Sequence, residues 1–224
     1  PEARSDAPES DARESDAREV SVDDPLGPAE TTRGEAIRTL AFWAVTLALS
    51  IHALMTTGLA FHIVDIGALA GYSEPEVVKL FLPLAVITMV TVWLSGLAAD
   101  RIDVRWLLVA MMVFEGVGLV ASADLGGPIA ELSFIAGIGA AGGVSVILAT
   151  AALPHYFGRT HLGAISGAQM SAMVIGSAIG PAIFALVQSL TGGYRAALWL
   201  STTLPAIGLL LAVASLRRDR HDAG

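Results

Sequence analysis

Few side chains in the apolar stretches of this sequence can move a proton or hold a charged solute: His52, His62 with Asp65 one turn on, and Glu115. Imidazole titrates near neutral pH, so either histidine could relay protons or, when charged, bind a carboxylate. His52 lies deeper in its apolar run and carries Thr56 on the same face, which makes it the better candidate. His62 and Asp65 stand near the end of that run and read as an outer gate pair or a loop contact. Glu115 is the acidic residue placed well inside a run. An intramembrane carboxylate is costly and therefore functional by default: protonated, paired or part of a proton path. Glu115 and Asp65 are thus the candidates for proton coupling or buried pairing.

Neutral polar groups form two stripes. Thr88, Thr91 and Ser95 recur at helical spacing beside Trp93, and Ser166, Gln169, Met173 and Ser177 do the same further on. Hydroxyls and amides can bind a polar solute without burying charge. The competing reading is interhelical hydrogen bonding, worth about 1 kcal/mol or less each. No Lys or Arg lies inside any of the apolar runs, so an organic anion would need its positive group from His52 or from another protein unit.

Enzyme chemistry finds no footing. Absence of cysteine removes thiolate nucleophiles, thiolate metal sites and disulfides together. A rhomboid-type protease needs G-x-S-G and a later membrane histidine, but Ala164-Ile165-Ser166-Gly167 lacks the first glycine and the later histidine is His221, beyond the last run. The five histidines lack ligand-like spacing with acidic neighbours, so no metal or cofactor is expected. Neither a carbonyl filter nor an arginine ladder points to a channel.

The elements that must position these groups are long apolar helices. A bilayer core of about 30 Å needs about 20 apolar residues per helix. Leu40 to Val64, Leu80 to Ala99, Trp106 to Ala123, Leu132 to Leu153, Leu162 to Leu190 and Ala196 to Leu216 meet or approach that length. They mostly lack the polar stripe of soluble helices, which predicts an all-α polytopic membrane protein with six transmembrane helices over residues 36–218. With six crossings, all but Lys79 and Arg195 of the thirteen Lys/Arg fall on one side, and the positive-inside rule places both termini in the cytoplasm. Trp43, Trp106, Tyr156 and Phe157 would mark the cytoplasmic rim, Tyr72 and Tyr194 the outer one.

The formal net charge of -8 belongs largely to residues 1–35, which hold eleven Asp/Glu and four Arg and pass three times through S-D-A-(P/R)-E. With almost no large apolar side chain, this segment is expected to be a disordered acidic cytoplasmic linker, and residues 219–224 a cytoplasmic tail. Its charge would repel phosphate, so nucleic acid is not an expected partner. The chain begins at Pro1 with its first methionine at Met55, the pattern expected of a piece of a longer product or of a processed one.

Glycine clusters on the fourth and fifth helices. GIGAAGG runs from Gly137 to Gly143 and includes Gly139, while Gly163 with Gly167 and Gly176 with Gly180 are spaced by four. Such rows let helix backbones approach closely in lipid. Pro181, next to Gly180, removes a backbone hydrogen bond and invites a kink.

The run GLAADR, Gly96 to Arg101, followed by Arg105, resembles the G-x-L-A-D-R-x-G-R-K/R loop signature of the major facilitator superfamily. Asp103 stands where that family usually has glycine, as in the weaker second copy of its signature. Tyr156-Phe157-Gly158-Arg159, Leu162 to Gly167, Gly180-Pro181 and Thr191 to Tyr194 are similar to the later loop and helix of carriers near its monocarboxylate and oxalate/formate exchange branch. The resemblance implies the C-terminal six-helix half of a secondary transporter, with small-molecule solute, lipid bilayer and an N-terminal six-helix half as partners. It further implies that the first, second, fourth and fifth helices face the cavity. His52, Thr56, Thr88, Thr91, Ser166, Gln169 and Met173 then become cavity candidates. Gly96, Asp100, Arg101 and Arg105 would form a gating loop, in which an acidic residue meets a helix N-terminus. Glu115, on a helix placed outside, would serve in structural pairing. The alternative function is a receptor or scaffold that binds solute without moving it.

Overall fold

The computed structural model describes residues 31–222, and the elements among them are helices: α1 (Arg33–Ala36), α2 (Leu40–Leu69), α3 (Glu74–Lys79), α4 (Phe81–Ala99), α5 (Val104–Ala123), α6 (Pro128–Phe157), α7 (Leu162–Thr191), α8 (Tyr194–Ser201) and α9 (Thr203–Asp222). Residues 1–30 of the expected acidic linker lie outside the described residues. Its last part is ordered: Thr32 and Glu35 form a capping box that opens α1. The hydroxyl of Thr39 accepts the Phe42 amide and starts α2, and the carboxylate of Asp103 accepts the Arg105 amide and starts α5. Gly192, at φ 75°, ends α7 in the left-handed region that a side chain would resist.

Six helices are long and apolar enough to cross a membrane: Leu40–Leu69, Glu74–Ala99, Val104–Ala123, Pro128–Phe157, Leu162–Thr191 and Tyr194–Val213, here called spans 1 to 6. The protein is an all-α polytopic membrane protein. At about 1.5 Å per residue the 30-residue spans 1, 4 and 5 exceed the hydrocarbon thickness, and so must tilt or project beyond it. Span 2 is broken at Leu80 and span 6 at Thr202, three residues before Pro83 and Pro205. Proline has no amide to close the next turn, so a short helix docks separately there. α7, by contrast, continues through Pro181 to Thr191.

The main seams join span 1 to span 5, span 2 to span 4, span 3 to span 4, span 1 to span 6 and span 3 to span 6. Exchanging spans 1, 2 and 3 for 4, 5 and 6 leaves this set of seams unchanged. Burial is uneven: only 6% of span 2 and 17% of span 5 are buried within the unit, against 50% of spans 3 and 4. Two apolar clusters fill the interior, one around Leu49, Leu108, Met112, Leu148 and Ile165. The other gathers Met55, Leu59, Leu119, Phe134, Ile138 and Phe184. Large apolar side chains such as Phe61, Leu82, Met89, Trp93 and Leu190 face outward, as lipid solvation permits.

Candidate functional site

His52 and Glu115 meet at the boundary between the two apolar clusters. Leu49 and Met112 belong to one cluster, Met55 and Leu119 to the other, and the polar pair stands between them on α2 and α5. His52 Nδ1 lies 2.5 Å from Glu115 Oε2, the side chains being 11% and 0% exposed. Glu115 Oε1 is buried and has no hydrogen-bond partner among the described residues. Pairing of this kind satisfies most of what a carboxylate needs to remain inside a membrane protein.

The other cavity candidates are distributed differently from the expectation. The hydroxyl of Thr56 donates to the His52 carbonyl at 2.7 Å, so it is spent on its own helix. Thr88 bonds back to the Leu84 carbonyl at 3.0 Å, and Thr91 packs where a Cβ on Gly143 would come within 2.6 Å of it. The hydroxyl stripe of span 2, with Ser95 buried, therefore faces α6 instead of an open cavity. What span 2 leaves uncovered is apolar: Val86, Met89, Trp93 and Leu97. On α7, Gln169 is buried and its amide donates to Met173 Sδ at 2.8 Å, whereas Ser166 is half-buried. Ser177 and Thr57 share a hydrogen bond of 2.9 Å across the seam of spans 1 and 5, a contact that sequence spacing on either helix alone does not reveal.

The glycines divide into two sets. A Cβ on Gly180 would lie 2.3 Å from the Leu54 carbonyl oxygen, one on Gly176 2.7 Å from that of Ser50, and one on Gly139 2.9 Å from that of Leu84. These positions, with Gly143, hold backbones in contact, the small-residue seam expected in lipid. Gly163 and Gly167 instead have nothing within 4 Å of such a Cβ and pair with no helix in this unit. They lie on the exposed side of α7.

In the loop between spans 2 and 3, the helix-start role falls to Asp103, the N-cap of α5, and not to Asp100, which ends α4 and is exposed. Arg105 lies 3.8 Å from Asp103 and places its guanidinium 5.8 Å from the ring centre of Tyr156. Arg101 is exposed, and Gly96 is in ordinary contact distance of Ile147. At the opposite ends of the helices, Arg195 pairs with Asp124 at 2.7 Å and Tyr194 donates to Asp65 at 3.2 Å. Asp65 is exposed and bonded to a tyrosine, hence neither buried nor paired with His62, whose Nδ1 lies 2.9 Å from the Gly58 carbonyl oxygen. Tyr72 donates to Glu131, and this bond, with the nearby carboxylate charge, pushes its phenol up to about 12. Bonds from Thr32 hold Glu35 below the usual carboxylate range.

A wide groove of about 860 Å³ lies elsewhere, between α5, the start of α6 and α9. Val113, Val117, Ile129 and Leu209 line it, and none of the cavity candidates does. Among the described residues no group of His, Asp and Glu is arranged to hold a metal ion. Comparison with known proteins finds no matching family model and no matching curated protein.

Proposed function

We propose that this chain is a six-helix half of a secondary transporter of the major facilitator type, which moves a small solute by alternating access. The observation that carries the reading is the exchange relation among the seams. If each span crosses the bilayer, consecutive spans alternate in direction, so spans 1 and 4 run oppositely. Two three-helix units related in that way form an inverted repeat, the construction of many secondary carriers. Two spans with 6% and 17% burial, bearing apolar outer faces and the unpaired Gly163 and Gly167, support a second six-helix unit packed across them. The basic loops support a cytoplasmic placement of both termini, and a plasma or inner membrane is the proposed location.

A small organic anion of the monocarboxylate or oxalate class is the proposed solute, its positive group coming from the second six-helix unit. The test is counterflow in liposomes carrying the protein from its full reading frame. Vesicles preloaded with unlabelled lactate or oxalate should accumulate the labelled solute transiently and saturably. A receptor would bind label in proportion to protein and trap none, and that result would replace the carrier reading.

A further inference from the structure

We infer that His52 and Glu115 form a proton-binding site and that the ion coupled to solute movement is the proton they share; this rests on the carrier reading above. Two lone pairs held 2.5 Å apart repel, so the contact between Nδ1 and Oε2 requires a proton between them. Counting the imidazole's own N–H, the pair is neutral when it holds two protons, one on Nε2 and one in the contact, whether the latter sits on Nδ1 or on Oε2. Losing one of the two would leave the pair at net charge -1 in apolar surroundings, with Oε1 lacking a partner among the described residues. That state is costly unless water or a cation reaches it. Proton release is therefore tied to opening of the contact between α2 and α5.

The pair is placed for this role. Its partners sit on different spans, and each of the two apolar clusters flanking them holds residues of both α2 and α5. His52 is the less enclosed partner, 11% exposed against 0% for Glu115, and with Nδ1 engaged its Nε2 is the remaining port for a proton. The other titratable groups on the elements packed here lie toward helix ends: His62 and Asp65 on α2, Arg105 on α5, Glu131, His155 and Tyr156 on α6, Tyr194 and Arg195 on α8. α7 and residues 203–213 of α9 contribute none.

The sign of the coupling follows. On the acidic side of the membrane the pair is loaded and its seam closed; on the alkaline side the proton leaves and the seam opens. One proton per solute lets a one-unit pH gradient support about tenfold accumulation.

The experiment uses the same liposomes and labelled lactate or oxalate, with Glu115→Gln as the variant. Wild type should accumulate label up a gradient, acid outside. Glu115→Gln should lose this while keeping counterflow at equal pH, which also shows that it folds. Gradient-driven accumulation by Glu115→Gln equal to wild type overturns the inference, as does wild-type counterflow that ignores the gradient. Absence of wild-type counterflow instead removes the carrier reading. The proton site is then judged by infrared titration of the purified protein: a carboxyl signal that titrates and is abolished by Glu115→Gln supports it, and no such signal overturns it.

Discussion

Tyr72 and Glu131 join the turn after span 1 to the start of span 4, and the phenol keeps its proton because the carboxylate beside it accepts the bond and repels a phenolate. A tyrosine raised in the folded state contributes its stability below its unfolded value of 10.0 and loses it as pH climbs toward about 12. Alkaline titration of tyrosinate absorbance should contain a component near pH 12 that Tyr72→Phe removes and Glu131→Gln moves back toward 10. A missing component at 10 in Tyr72→Phe would contradict the contact. Neither this bond nor the His52–Glu115 pair was legible as a pair. Each ionisable residue announced itself by standing in or beside an apolar run. Which of them meet depends on the rotation and crossing of separate helices, and helical periodicity on one strand of sequence carries no information on that. The Thr88 and Thr91 stripe fails for the same reason: the shared face was readable, the neighbour it meets was not.

At the scale of the element, helix number, type and approximate ends were legible, because bilayer thickness and the hydrogen-bonding demands of backbone in lipid leave little choice. Short docked pieces at Glu74–Lys79 and Tyr194–Ser201 were not, although Pro83 and Pro205 are their signal. The glycines separate along the same line. A methyl on Gly180 would strike the Leu54 carbonyl, a backbone atom that cannot swing aside, at a cost of about 1–3 kcal/mol or more. Gly180→Ala should therefore sharply reduce folded protein in detergent, measured by fluorescence-detected size-exclusion chromatography. Gly167→Leu, with open space around it, should leave folded yield unchanged and abolish counterflow, because its face meets the second unit in the proposed carrier. Full counterflow by Gly167→Leu would mean that this face is not a moving seam.

For the whole molecule, the proposed carrier takes each half of the unit as a repeat and the uncovered spans 2 and 5 as the face for a second six-helix unit. Sequence reading reached the six-span architecture and its charge asymmetry. It did not reach the seam pattern, which arises only when all six spans are packed together. Alternating access makes one demand that no receptor or static scaffold shares: a site at mid-depth must become open to water from each side in turn while the membrane stays tight. The absence of native cysteine makes this directly measurable with Thr56→Cys, one turn from His52 on α2. The measurement is the labelling rate by a membrane-impermeant thiol reagent added first outside and then inside sealed vesicles. Alternating access predicts reaction from both sides, slowed from either by lactate or oxalate; reaction from one side only, or from neither, would contradict it.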